Sequence, residues 1–137
     1  MLTQYKTKLY MSAIKPSEAE LEILQVLWEH QPCSVRLVHE KISAVRNVGY
    51  TTTLKQMQRM LDKSLVIRED GEGKSHIYRS AISAEKIKGN MFDGLLNKVF
   101  GNSVSDLVMH ALGSGKTSEA ELEKIRQFLG EIDQKND

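Results

Sequence analysis

Two short β-branched runs, "LVIRED" and "SHIYRS", flank a glycine-rich "GEGK" at residues 65–80. A hairpin is the simplest reading of that pattern. A two-stranded sheet is marginal by itself in water, so this one must lie against another element, and everything ahead of it in the chain is patterned as helix. "SEAELEILQVLW" begins at Ser17 with an S-x-x-E capping box closed by Glu20 and carries Leu21, Leu24, Leu27 and Trp28 as its inward stripe. "PCS" introduces a second short helix with Ser34 as N-cap and Val35, Val38 and Ile42 at helical spacing. "SAVRNVG" connects it to a third helix expected from about residue 51 to 63. Three helices followed by a hairpin is the element order of a winged helix-turn-helix.

From Ser83 onward the pattern is helical again. One helix carries Ile87, Met91, Leu95 and Val99; a shorter one carries Leu107 and Val108; a last one carries Leu122, Ile125, Phe128 and Leu129. Some 55 residues are too few to enclose that much apolar surface, and burying it against a second copy of the chain is the economical solution. The fold expected is therefore mainly α with a small β-hairpin wing. Residues 1–16 form an N-terminal extension, with Met11 as an alternative start, 17–82 a winged helix-turn-helix, and 83–137 a helical dimerisation region. "SEAELE" recurs at 118–123, but the residues beyond it share only helical spacing, so two capping boxes explain it better than duplication.

The third helix carries the chemistry. On a wheel of roughly 100° per residue with Thr52 at zero, Lys55, Gln56, Arg59 and Lys63 fall within roughly 60° on either side, and Leu54, Met57 and Leu61 lie on the far side. Those polar groups suit DNA: Arg or Lys binds guanine O6/N7, Gln binds adenine N6/N7, and Thr meets polar edges or a thymine methyl. Thr51, Thr52 and Thr53 crowd the helix N-terminus, where unpaired N–H groups and partial positive charge attract phosphate. Thr52 heads the polar stripe and reads as a DNA contact, while Thr53, on the buried side, reads as a cap. Ser34 and Arg36 lie at the start of the second helix, which points at the DNA backbone in this arrangement. Lys74, at the hairpin tip, can reach flanking phosphates.

Net charge is only +1 over 137 residues, but it is unevenly spread. Lys41, Arg46, Lys55, Arg59, Lys63 and Arg68 share the segment 41–68 with a single acid, Asp62, as expected of a confined polyanion-binding surface. A solvated charged face, or a winged-helix module that binds an acidic protein without sequence-specific DNA recognition, is the competing reading. An enzyme is not expected, since the chain has no G-x-S-x-G, HExxH or P-loop pattern. Asp106 and His110 stand at i,i+4, but two ligands make no metal site. The single cysteine, Cys33, allows no intrachain disulfide, and no metal or cofactor is expected. No apolar run reaches the ~20 residues of a membrane span, and the expected location is cytoplasmic.

"SEAELEILQVLWE", "YTTTLKQMQRMLDKSLV" and "GKSHIY" resemble the penicillinase-repressor family of winged-helix transcriptional repressors, the BlaI, MecI and CopY group, from about Ser17 to Ile132. The most specific parts are Tyr50-Thr51-Thr52, Arg59 and the exit Lys63-Ser64-Leu65-Val66, where the family commonly has glycine at the Ser64 position. The resemblance implies a homodimer that represses transcription from a pseudopalindromic operator, with Tyr50 among the DNA contacts and the helices after the wing making the dimer. It also implies a sensor protease or other inducing signal as a partner. The copper branch's C-terminal cysteine cluster is missing, so copper sensing of that form is not expected. His110-Ala111 stands where the β-lactam-responsive branch has its cleaved Asn-Phe bond.

Overall fold

The computed structural model describes residues 15–73 and 75–136. The N-terminal extension (apart from residues 15 and 16) and Lys74 lie outside the described residues. The order of elements is α1 (Glu18–His30), α2 (Val35–Ser43), α3 (Tyr50–Asp62), β1 (Val66–Asp70), β2 (His76–Ser80), α4 (Ala84–Lys98), α5 (Val104–Gly113) and α6 (Glu119–Asn136). The chain divides into two compact units, one running to Met91 and the other beginning at Phe92.

In the first unit, α1 starts on the expected capping box: the Glu20 N–H donates to Ser17 Oγ, and the Ser17 N–H donates to Glu20 Oε1 at 2.8 Å. Ser34 caps α2 by accepting from the Leu37 N–H. β1 and β2 pair antiparallel, with Ile67 opposite Arg79 and Arg68 opposite Tyr78. A contact with no local sequence signal anchors this hairpin: Cys33, between α1 and α2, exchanges both backbone hydrogen bonds with Tyr78. Cys33 is buried, and burial pushes its thiol pKa up, so it stays neutral and packs as a small apolar side chain.

The core gathers Ile23, Leu24 and Leu27 of α1, Val38 and Ile42 of α2, Met57 and Met60 of α3, and Val66 and Tyr78 of the hairpin. It also takes in Ile82 and Ile87, and the Trp28 indole N–H donates to the Ile82 carbonyl at 3.0 Å. Ile87 is 1% exposed. This corrects its expected place on the dimerisation surface: the first turn of α4 completes the winged-helix core, and a helical stripe does not distinguish burial within a chain from burial between chains. Met91, the last residue of this unit, is half-exposed.

In the second unit neither α5 nor α6 contains a buried residue. Leu107, Leu122 and Ile125 are half-buried, whereas Leu95, Val99, Val108, Phe128 and Leu129 are exposed, Val99 by 67%. Ser103 caps α5 by accepting from the Asp106 N–H, and Ser118 does the same for Glu121 at the start of α6. Left-handed residues bracket α5, with Gly101 and Asn102 before it and Gly115 after it. No described helix is long and apolar enough to cross a membrane.

Candidate nucleic-acid interface

The third helix is locked into the first unit by Thr53, Met57 and Met60, all buried, with Leu54 and Leu61 packed at the edge of the core. The centre of the buried face therefore falls nearer Thr53 than Leu54. The exposed arc turns with it, to Thr51, Thr52, Lys55, Gln58 and Arg59, with the acidic Asp62 among them. Gln56 sits at the flank and is half-buried. Gln58 is a surface candidate that the polar stripe alone overlooks; counting Thr53 and Met60 into the apolar face would have found it.

The threonines do not cap. Gly49 is the N-cap and makes no side-chain hydrogen bond to the first turn. Thr53 is 3% exposed, and its hydroxyl pairs with His39 Nδ1 of α2 at 3.1 Å. This corrects the reading of Thr53 as a cap: at one turn's depth, its nearest unsatisfied polar partner is a side chain of the neighbouring helix. Thr51 and Thr52 are left exposed at a helix end whose first N–H groups have no side-chain acceptor. Tyr50 is half-exposed beside them and meets the His39 ring edge-on, with centroids 5.5 Å apart.

At its other end the helix closes in a Schellman motif. The Leu65 N–H donates to the Met60 carbonyl at 2.9 Å and the Ser64 N–H to the Leu61 carbonyl at 3.1 Å, with Ser64 in the left-handed region at φ 63°. That geometry is the physical reason a glycine suits this position.

Two cations of the basic segment 41–68 are ion-paired to α1. Lys63 Nζ lies 3.1 Å from Glu20 Oε2 with its side chain still more than half exposed: its position at the end of α3 brings it over the capping carboxylate of α1. Burial alone would raise the Glu20 pKa, but hydrogen bonds from the Ser17 N–H and hydroxyl and the Lys63 ammonium hold it below the ordinary carboxylate value. Arg46 forms a bidentate pair with Glu22 and closes the connector between α2 and α3 onto α1. Lys55 and Arg59, by contrast, form no salt bridge among the described residues.

On α2, the Ser34 oxygen accepts from Leu37, which leaves its proton to donate outward, and Arg36 is well exposed at 3.9 Å from Glu40. Several polar groups of the wing pair with one another. Arg79 pairs with Glu69 at 3.1 Å, His76 lies 3.6 Å from Asp70, and the Ser75 hydroxyl donates to the Glu72 carbonyl. The remaining surface is a polar, cationic arc on α3 flanked by the start of α2, made of hydroxyl, amide, ammonium and guanidinium groups of the kinds that pair with base edges and phosphates.

The sequence model of the penicillinase-repressor family matches residues 16–131. The transcriptional regulator BlaI of Mycobacterium tuberculosis is 30% identical over 120 residues, covering 85% of this chain and 83% of that protein. A penicillinase repressor of Staphylococcus aureus is 24% identical over 122 residues, covering 89% and 96%. Among solved structures, a mutant form of Lactococcus lactis ZitR aligns with a TM-score of 0.46 at 13% identity, over 91% of this chain and 78% of that one. With its family's pattern running through the winged helix and on to α6, this chain belongs to the penicillinase-repressor family of transcriptional regulators.

Proposed function

We propose that the protein represses transcription as a homodimer bound to a pseudopalindromic DNA operator, with α3 as the recognition helix. The observation that carries this reading is the exposed arc of Thr51, Thr52, Lys55, Gln58 and Arg59, set opposite the buried Met57 and Met60 and ending at a helix N-terminus without a side-chain cap. The first turn of such a helix enters the major groove, and hydroxyl, amide and guanidinium groups there match base edges. Arg36, Ser34 and Tyr50 flank it as phosphate contacts.

Dimerisation falls to the second unit. The exposure of Leu95 and Val99, and of Val108, Phe128 and Leu129 on helices without a buried residue, is what a second copy would cover. Joining two half-site binders raises the effective concentration of the second, so operator affinity depends on the dimer. An inducing signal, such as a sensor protease, would then act by opening α5 without touching a DNA contact. Sedimentation of the free protein and fluorescence-anisotropy titration of duplexes at several salt concentrations test the proposal. A dimer at micromolar concentration and an affinity that falls steeply with salt are expected; a stable monomer, or binding indifferent to salt, would refute it.

A further inference from the structure

Between α2 and the first residue of α3 lies an open notch of about 460 Å³ lined by Arg36, His39, Glu40 and Tyr50. We infer that this notch is a subsite for one backbone phosphate of the DNA, and that His39 is one of its ligands. The inference rests on the DNA-binding reading of α3 and assigns a residue that the polar stripe of α3 does not contain.

His39 is held in two ways. Its Nδ1 pairs with the buried Thr53 hydroxyl, and the Tyr50 ring packs against it in a T-shaped contact at an interplanar angle of 86°. With Nδ1 engaged, Nε2 is the polar atom the ring can offer to the notch. A threonine hydroxyl both donates and accepts, so a phosphate in the notch selects the state with a proton on Nε2 while the Thr53 contact persists. Tyr50 brings a phenolic hydroxyl from the adjoining helix start, where the first amides of α3 have no side-chain cap. Arg36 supplies the permanent charge. Its contact with Glu40 is long, at 3.9 Å, and both side chains are mostly exposed; such a pair stabilises little, so the guanidinium can turn to a phosphate. Glu40 is the one group at the notch that opposes an anion.

Orientation and ligation by His39 are separable. Asparagine at this position places a polar group near Nδ1 and none near Nε2, so His39→Asn preserves the Thr53 contact and removes the proposed ligand. The experiment titrates full-length wild type, His39→Asn, Tyr50→Phe and Glu40→Gln against a duplex recovered from a random pool and against a mixed-sequence duplex. Thermal melts accompany each variant. The expected result for His39→Asn is an unchanged Tm and a loss of about ten-fold on both duplexes alike, as for one hydrogen bond to a charged oxygen. Tyr50→Phe should weaken both duplexes to a smaller degree, and Glu40→Gln should tighten both. Replacing single phosphates of the recovered duplex by neutral methylphosphonates should reveal one position per half-site where the His39→Asn penalty disappears. Wild-type affinity in His39→Asn, a loss confined to the recovered duplex, or a penalty that survives every methylphosphonate would each overturn the subsite. Absence of salt-dependent duplex binding by the wild type would instead remove the DNA-binding reading beneath it.

Discussion

Glu20 and Lys63 join the first turn of α1 to the C-cap of α3 across 3.1 Å, with the carboxylate nearly buried and the ammonium more than half exposed. The same carboxylate closes the capping box on Ser17, so one residue secures both the start of the first helix and the end of the recognition helix. Because these partners lower the Glu20 pKa in the folded protein, its contribution to stability is fully present above the unfolded value, ordinarily about 4.3, and is lost as pH falls through the folded value. Glu20→Gln should keep the cap, lose the ion pair, lower stability by about 1 kcal/mol at neutral pH, and flatten the acid limb of the stability profile. Urea unfolding followed across pH checks this.

Lys63→Ala and Arg59→Ala should behave differently toward DNA. Arg59 lies on the exposed arc without an ion partner among the described residues, so its loss is expected to cost about 1–3 kcal/mol if it reads a base, or to lower the salt slope by about one if it meets phosphate. Lys63, held by Glu20, should leave the slope nearly unchanged and act through stability. Anisotropy titrations over a range of salt separate the two.

Ser64 occupies the left-handed position of the Schellman motif at the end of α3. Ser64→Gly removes a Cβ from a conformation that disfavours it, and a gain of about 1 kcal/mol is the expected outcome. A chemical-denaturation midpoint that falls instead would show that Ser64 makes a compensating contact.

In the second unit, Val108 and Leu129 are exposed apolar residues on separate helices. Val108→Asp combined with Leu129→Glu should convert dimer to monomer in sedimentation and weaken operator binding, with the melting of the first unit unaffected. A protease site engineered at 110–111 should act in the same direction. It lies in α5, where the His110 ring meets Phe100 at 5.8 Å and left-handed residues bracket the helix. Retained affinity after complete cutting would remove α5 as the control point.

Local signals in the chain were sufficient for much of this fold. Ser17 with Glu20, Ser34, and the β-branched runs around "GEGK" each announce an element through its own short-range chemistry. What they do not announce is a long-range partner. Cys33 bonding to Tyr78, Ile87 belonging to the winged-helix core, and Thr53 meeting His39 join residues far apart in the chain and have no periodic signature. The candidate site shows the same division. Lys55, Arg59 and Thr52 were legible from the amphipathic wheel, whereas the diversion of Lys63 to Glu20 and Arg46 to Glu22 depends on how α1 packs against its neighbours. Charge counted along the chain therefore misses which cations are ion-paired within the fold.

Selection of bound duplexes from a random pool, carried out in parallel with wild type and Arg59→Ala, tests the recognition-helix assignment most directly. The expected result is an inverted repeat whose half-site centres lie one DNA turn, about 34 Å, or a multiple of it apart, with the Arg59 variant relaxing the same base position in both halves or weakening binding uniformly. Enrichment of no sequence by the wild type, or an identical site bound with identical affinity by wild type, Arg59→Ala and Lys55→Ala, would contradict it.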